Sequence, residues 1–163
     1  MDVYARPVPA IPDDVIVETH DPAGTRALGA RLAAVACPGD VLAVTGDLGA
    51  GKTELAKGFG HGLGVTDTVS SPSFVLMAEH AGRLPFFHLD LYRLDGPEAA
   101  VAAGLLDERE VEGVTLIEWA ERLGGEIAPG RLEILIESLD GDRRRIHLRA
   151  TDAAHRRYLE AVA

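Results

Sequence analysis

The sequence predicts a single α/β domain: a mixed β-sheet with helices on both faces and added antiparallel hairpins. Two observations support this prediction. A short apolar run at 41–45 leads into a glycine-rich loop at 46–53 and then into apolar residues at helical spacing, a strand–loop–helix unit typical of a parallel sheet. Alternating apolar residues at 132–136 and 146–148, with an Asp140-Gly141 turn between them, indicate an antiparallel hairpin. We therefore expect a parallel core with antiparallel additions.

Before the glycine-rich loop, the sequence predicts one strand and one helix. The strand is Val15 to Glu18. The helix begins at Asp21-Pro22, because aspartate caps free amides and proline is tolerated in the first turn. It ends before Pro38-Gly39. The apolar residues of one helix face are Leu28, Leu32 and Val35.

After the loop, the helix runs to a stop signal at Gly64. A hairpin is predicted from Phe74 to His80 and from Pro85 to Leu91, with a turn at Ala81-Gly82. A helical region then opens at Gly96 and continues, with one break, to about Glu110.

The last third of the chain begins with a short buried strand at 114–117, which ends at Glu118-Trp119. A helix of one or two turns is predicted over Ala120 to Leu123. After the 132–148 hairpin, Asp152 is expected to cap a final helix that runs to Val162.

The length of 163 residues predicts one domain over residues 13–163, preceded by a flexible arm at 1–12. No apolar run approaches the roughly 18 residues that a membrane span needs. Cys37 is the only cysteine, so an internal disulfide is excluded. We therefore expect a cytoplasmic protein without membrane contact.

The formal net charge of −10 disfavours a large nucleic-acid footprint, because attraction to polyphosphate needs clustered cations. One basic cluster is present, at Arg143-Arg144-Arg145. We expect no DNA binding, and any role involving RNA would act through a protein partner.

The stretch Gly46-Asp47-Leu48-Gly49-Ala50-Gly51-Lys52-Thr53 fits the pattern of a phosphate-binding loop. Its glycines let successive N–H groups turn toward a phosphate. Lys52 is expected to contact the β- and γ-phosphates, and the Thr53 hydroxyl to ligate Mg²⁺. Because a predicted strand precedes the loop and a helix follows it, we interpret it as the nucleotide site of a P-loop NTPase-like domain.

Two carboxylates follow predicted strands: Asp90 after 86–89 and Glu118 after 114–117. Open α/β sheets bind ligands at the carboxyl ends of their strands. A nucleotide-phosphate site needs an acidic group for Mg²⁺ and a group that orients water. The spacing does not show which carboxylate would bind Mg²⁺ and which would orient water. Either carboxylate could also simply mark the point where a strand reaches solvent.

Three further features have two interpretations each. The hydroxyls of Ser70-Ser71-Pro72-Ser73 could respond to a γ-phosphate as a switch loop does, or satisfy a turn. His88 shares a strand face with Asp90, which favours a supporting or structural role over metal ligation. Trp119 is interpreted as packing, with a contact or gating role as the alternative.

In their order and spacing, these motifs resemble the TsaE family, the small bacterial ATPase needed to make threonylcarbamoyladenosine in tRNA. Besides the phosphate loop, the resemblance rests on Ser71-Pro72-Ser73-Phe74, His88-Leu89-Asp90-Leu91-Tyr92-Arg93-Leu94 and Ile117-Glu118-Trp119. It spans Thr25 to Leu148, and the Asp-Leu-Tyr-Arg-Leu run is its most distinctive part.

The resemblance implies binding of ATP or ADP with Mg²⁺, and a set of residues for each role. The implied nucleotide-binding residues are Gly46, Gly49, Ala50, Gly51, Lys52, Thr53, Glu54, Thr25, Ser73 and one member of the arginine cluster, taken as Arg145 although Arg143 and Arg144 stay open. The implied metal ligands are Thr53, Glu118 and Asp90, and the implied catalytic residues are Asp90, Glu118 and Lys52. The implied partner is the TsaB–TsaD complex, whose modifying cycle ATP hydrolysis would reset, with tRNA contacted only indirectly.

Two residues depart from the family pattern. Ser73 stands where many members have threonine, and it keeps the hydroxyl. Glu54 stands where many members have a second threonine or serine. A carboxylate there could weaken ATP binding by repulsion or could point to solvent.

Two rival functions stay open: a nucleotide-dependent binding module with negligible hydrolysis, and a small-molecule phosphotransferase. The sequence shows no obvious acceptor-site segment or lid for the second. A GTPase is disfavoured because no Asn-Lys-x-Asp segment is present. Slow intrinsic turnover is expected, because no arginine finger is evident in cis and a partner can complete such a site.

Overall fold

A computed structural model describes residues 13–102 and 111–163. Its strands are β1 (Asp14–Thr19), β2 (Val41–Thr45), β3 (Met77–His80), β4 (Phe86–Asp90), β5 (Val114–Glu118), β6 (Leu132–Ser138) and β7 (Arg144–Ala150). Its helices are α1 (Pro22–Ala33), α2 (Lys52–Gly62), α3 (Pro97–Ala102) and α4 (Arg156–Val162), with a 3-10 segment at Ala120–Glu126. The arm predicted at 1–12 and the predicted helical residues 103–110 lie outside the described residues.

The described strands form one seven-stranded sheet in the order β1-β7-β6-β2-β5-β4-β3. Its centre is parallel: β2 pairs with β5 and β6, and β4 pairs with β5. The pairs β6–β7, β1–β7 and β3–β4 are antiparallel. The predicted mixed sheet, with a parallel core and antiparallel additions, is confirmed.

Both faces of the sheet carry helical segments, as predicted. Helices α1, α2 and α4 cover one face and bury the larger core, which includes Leu32, Phe59 and Tyr158. The 3-10 segment and α3 cover the other face over β4 and β5, around Leu89 and Ile117. The central strands β4 and β5 are therefore buried along their whole length, as expected of parallel strands between two layers.

Aspartate correctly predicts the start of one helix but not of another. Asp21 caps α1 as predicted, because its Oδ1 accepts a hydrogen bond of 2.7 Å from the Gly24 N–H. The final helix begins only at Arg156, so its predicted start at Asp152 is wrong. Asp152 instead accepts the His155 N–H over 2.9 Å, which orders the turn before the helix.

The first strand of the predicted hairpin is shorter than expected. It begins at Met77 rather than Phe74, because the Leu76 N–H closes a turn onto the Pro72 carbonyl over 2.6 Å. Leu76 has φ 69°, a left-handed conformation that a strand excludes. Phe74 is consequently 85% exposed on a turn, and the strand prediction for 74–76 is wrong.

Within the two described ranges, every helix falls short of the length and apolar character that crossing a membrane requires.

Helices α1 and α2 approach each other at glycines. A Cβ on Gly58 of α2 would overlap the backbone of Arg26, and one on Gly29 of α1 would overlap the Leu55 carbonyl. The close approach places the start of α1 beside the phosphate loop, since Thr25 lies next to Gly51.

We expect Gly58→Ala to lower the free energy of unfolding by about 2 kcal/mol or more. Overpacking costs about 3 kcal/mol, and the better helix propensity of alanine returns only about 1 kcal/mol. Urea unfolding would measure the difference. Gly125→Ala is the control, because a Cβ there meets no atom within 4 Å. Equal stability of the two variants would contradict the close approach.

Candidate functional site

The phosphate loop lies between the end of β2 and the start of α2, as the sequence predicts. Gly51 caps α2 with φ 111°, a conformation that side chains rarely adopt. At Gly46, a Cβ would lie only 2.6 Å from the Ile136 carbonyl oxygen of β6. Glycine is therefore required at both of these positions, and α2 begins at Lys52, so the free N–H groups of its first turn belong to the end of the loop.

Lys52 is 5% exposed and lies inside this loop. Its Nζ donates to the Gly46 carbonyl over 2.5 Å and to the Asp47 carbonyl over 2.8 Å. Burial lowers the pKa of Lys52, and the negative charge of Glu118 partly offsets that effect. The Lys52 ammonium group is thus held inside the loop by the loop's own carbonyl groups.

Trp119, the single tryptophan of the chain, covers this cation. Its ring centroid lies 4.1 Å from Lys52 Nζ, a distance suited to a cation–π contact. The ring also packs on Tyr92, with the two centroids 4.9 Å apart. Trp119 has φ 58°, so the chain turns sharply directly after Glu118. Trp119 thus packs, as expected, and also contacts the phosphate-loop lysine.

The two predicted carboxylates are direct neighbours across the sheet. Strands β4 and β5 are parallel, and their register pairs Asp90 with Glu118 at the carboxyl ends. Both side chains are buried beside the phosphate loop. The sheet therefore brings together two acidic groups that are 28 positions apart in the chain.

Glu118 uses both of its carboxylate oxygens. Its Oε1 accepts a hydrogen bond of 2.9 Å from the Thr53 hydroxyl at the start of α2. Its Oε2 lies 2.6 Å from His88 Nε2 on β4. The structure thus joins Thr53 and Glu118, the hydroxyl and the carboxylate that the family resemblance implies for Mg²⁺.

Asp90 contacts the serine-rich segment before β3. Its Oδ2 accepts a short hydrogen bond from the Ser71 hydroxyl, and its Oδ1 accepts the Tyr92 N–H over 3.0 Å. Ser73, the residue selected from sequence, lines the same cavity, but Ser71 makes the contact with Asp90. The hydroxyls of this segment therefore reach the site.

Thr25 lies behind the phosphate loop. Its side chain is buried, its hydroxyl is 2.9 Å from that of Thr19, and its methyl group would contact a Cβ placed on Gly51. Thr25 is thus close to the loop in space although it belongs to α1.

Glu54 lines the cavity but is paired with cations. Its carboxylate lies 2.6 Å from the Arg26 guanidinium and 3.5 Å from Lys57 Nζ. Partial burial raises the pKa of Glu54, but the hydrogen bond from Arg26 and the two positive charges outweigh it and lower the pKa overall. These partners reduce the repulsion toward a bound phosphate that an isolated carboxylate would exert.

Within the arginine cluster, the structure separates Arg144 from Arg145. Arg144 Nε donates to the Ala50 carbonyl over 2.8 Å and its NH2 to the Gly49 carbonyl over 3.5 Å. Arg145 instead pairs with Glu18 of β1 at 3.0 Å. Arg144 is therefore the member of the cluster that contacts the phosphate loop.

Strand alternation is the signal that could have identified Arg144. It is in phase with Ile146 and Leu148, which face the core beneath α1 and α2. Arg145 points to the opposite face of the sheet. The sequence leaves open which of Arg143, Arg144 and Arg145 lies near the nucleotide, and the alternation along β7 places Arg144 on the side of the phosphate loop.

Lys52, Asp90 and Glu118 line one open cavity of about 520 Å³, a volume in the range of small-molecule sites, whereas Thr25 and Arg144 lie outside its lining. Its lining residues are Leu48, Gly49, Gly51, Lys52, Thr53, Glu54, Ser71, Ser73, Asp90, Tyr92, Arg93, Glu118 and Trp119. The cavity combines loop amides and a cation with buried oxygen ligands, which is the donor set expected for a metal–phosphate ligand.

The oxygen ligands suit Mg²⁺ in a nucleotide site. In the described parts of the chain, no group of three or more His, Cys, Asp or Glu residues is arranged to hold a metal alone. Mg²⁺ at phosphate sites needs only one or two carboxylates, because substrate phosphates and water complete its coordination. The Thr53 hydroxyl and the Glu118 carboxylate, 2.9 Å apart, fit that requirement.

The fold and the phosphate loop define this chain as a P-loop NTPase-like protein. Residues 19–146 match the family model described as "Threonylcarbamoyl adenosine biosynthesis protein TsaE". The chain belongs to the TsaE family, as the ordered motifs predict.

Individual relatives agree with this assignment. The tRNA threonylcarbamoyladenosine biosynthesis protein TsaE of Bacillus subtilis is 42% identical over 129 residues, which cover 78% of this chain and 80% of that protein. The protein of the same name from Streptomyces coelicolor is 39% identical over 72% of this chain and 81% of its own length. The crystal structure of Bacillus subtilis YdiB is similar in fold, with a TM-score of 0.77, 35% identity, and coverage of 91% of this chain and 93% of that one.

Proposed function

We propose that this protein binds ATP and ADP with Mg²⁺ and hydrolyses ATP in support of threonylcarbamoyladenosine formation in tRNA. The observation that carries the proposal is the convergence of Lys52, the Thr53–Glu118 pair and the Ser71–Asp90 pair on one cavity at the phosphate loop. Membership of the TsaE family supports the pathway.

Each group has a proposed role. The loop amides and Lys52 bind the phosphates and offset their charge. Thr53 and Glu118 would hold Mg²⁺, which when bound supplies positive charge at the phosphates. Asp90 lies one strand further from Thr53 and accepts the Ser71 hydroxyl, so we assign it to orienting the attacking water.

The proposed partner is a TsaB–TsaD type protein complex in the cytoplasm. The net charge of −10 favours action on proteins over direct binding of tRNA. Among the described arginines near the phosphate loop, Arg144 donates to backbone carbonyls and Arg26 pairs with a carboxylate, whereas Arg93 lines the cavity and lies 4.2 Å from the Phe74 ring centroid. A partner-supplied group would then complete the site, and turnover by the isolated chain should be slow.

The test is ATP turnover with Mg²⁺, measured for the chain alone and with a matching TsaB–TsaD pair. We expect low turnover alone and a clear rise with the pair. Nucleotide binding without turnover in either condition would instead favour a binding module. Transfer of the γ-phosphate to a metabolite would favour a phosphotransferase.

Arg144→Ala is expected to weaken ADP binding about five- to tenfold, because one or two hydrogen bonds that hold the loop carbonyls are lost. Isothermal titration calorimetry with Mg-ADP would measure the change. Arg145→Ala is the matched control, since its guanidinium pairs with Glu18 on the other face of the sheet. A larger loss of affinity in the control would show that Arg145, not Arg144, supports the nucleotide.

A further inference from the structure

His88 is a completely buried polar side chain that the proposed reaction does not yet use. It lies on β4, two residues before Asp90 and beside β5. Its ring stacks on Phe86, with centroids 5.8 Å apart and planes 12° apart. A phenylalanine or leucine would satisfy this packing without burying two ring nitrogens.

The ring nitrogens of His88 are used unequally. Nε2 lies 2.6 Å from Glu118 Oε2, and because a carboxylate oxygen accepts from an N–H group, we assign the ring hydrogen to Nε2. Nδ1 has no hydrogen-bond partner among the described residues. The contact with Glu118 is thus what offsets the cost of burying this ring.

The hydrogen bond with His88 also limits the rotation of the Glu118 carboxylate. The terminal torsion of a glutamate is soft, so a carboxylate held at one oxygen can still rotate. In this structure Thr53 contacts Oε1 and His88 contacts Oε2, so both oxygens are assigned and the plane of the carboxylate is set. The hydrogen bond to His88 leaves Oε1 directed toward the hydroxyl at the phosphate loop.

We propose that His88 is a positioning residue, which holds Glu118 through the Nε2–H···Oε2 hydrogen bond so that Oε1 and Thr53 together receive the nucleotide-bound metal. The inference rests on the proposed function. Outer partners of this kind typically change metal affinity by about 10- to 100-fold when they are removed.

The experiment compares His88→Phe, which keeps the ring and its stacking but removes the donor, with His88→Gln, which replaces the donor at the position of Nε2. Unfolding curves first confirm that both variants fold. The Mg²⁺ concentration that half-saturates the metal-dependent gain in ADP affinity is then measured. We expect a rise of about 10- to 100-fold for His88→Phe and of less than about threefold for His88→Gln, with metal-free ADP binding unchanged in both.

A normal Mg²⁺ requirement in His88→Phe would overturn the proposal. Equal impairment of the two variants would also overturn it, because shape rather than the donor would then matter.

A second measurement needs no nucleotide and so separates this proposal from the proposed function. Nitrogen-15 NMR of histidine-labelled protein reports which ring nitrogen carries hydrogen. We expect the Nε2–H tautomer at His88, with a resonance that moves when Glu118 is replaced by alanine. An Nδ1–H tautomer would overturn the positioning role by itself. An absence of Mg²⁺-dependent ADP binding in the wild type, with the expected spectrum, would overturn the proposed function and with it the metal-binding purpose of the His88–Glu118 hydrogen bond, but not the hydrogen bond.

Discussion

Replacing Lys52 with alanine is expected to reduce affinity for ADP and ATP by roughly 30- to 150-fold. Hydrogen bonds to charged groups contribute about 2–3 kcal/mol, and each 1.4 kcal/mol is about a factor of ten in affinity. Lys52 Nζ lies among the carbonyls of the phosphate loop and under the Trp119 ring, so it is already confined where phosphates would bind. Equilibrium binding of a fluorescent ADP analogue would measure the loss.

The chain offers a matched control, because Lys57 is its only other lysine. Lys57 is partly exposed and pairs with Glu54 at 3.5 Å. Lys57→Ala should therefore change ADP affinity by less than about twofold, as expected of an exposed ion pair. Unchanged ADP binding in a folded Lys52→Ala variant would remove the phosphate loop from the proposed function.

Replacing Glu118 with alanine is expected to retain ATP binding but to lower partner-stimulated turnover at least about 100-fold. The loop amides and Lys52 stay in place, so the phosphates keep most of their contacts. The carboxylate beside the Thr53 hydroxyl is lost, and charged groups placed at a reacting centre contribute about 3 kcal/mol or more to the rate. Single-turnover hydrolysis with saturating ATP and the TsaB–TsaD pair would separate chemistry from binding.

Glu118→Gln strengthens this comparison, since it preserves the volume of the buried side chain and removes only its charge. Glu126→Gln is the control for a general loss of negative charge, because Glu126 is exposed at the end of the 3-10 segment. Wild-type turnover in Glu118→Ala would remove this residue from the mechanism. A loss of ATP binding as large as that of Lys52→Ala would show that Glu118 supports nucleotide binding rather than hydrolysis.

Much of the fold was predictable because its signals are local. The phosphate loop is eight consecutive residues whose function depends on backbone freedom at fixed spacing. The caps and turns at Asp21 and Asp140-Gly141 likewise depend on side chains and backbone a few residues apart. The errors at 74–76 and at Asp152 arose where a local turn competed successfully with a strand or helix pattern.

Individual contacts at the site were less predictable. The sequence marks the serine-rich segment as a candidate, but only the structure shows that Ser71 is the residue that contacts Asp90. The sequence shows the glutamate at position 54, but the pairing of Glu54 with Arg26 depends on the close approach of α1 and α2. Each contact joins residues that are distant in the chain, so no local sequence pattern predicts it.

The sequence by itself determined the class of fold, the position of the phosphate loop and the identity of the carboxylates at the ends of two buried strands. These features follow from covalent spacing and from the two- and 3.6-residue periods of strands and helices. Only the tertiary structure decided that Asp90 stands beside Glu118, that His88 contacts the same carboxylate, and that Arg144 rather than Arg145 contacts the loop. Those outcomes depend on strand order and register, which are set by pairing between distant segments rather than by any local pattern.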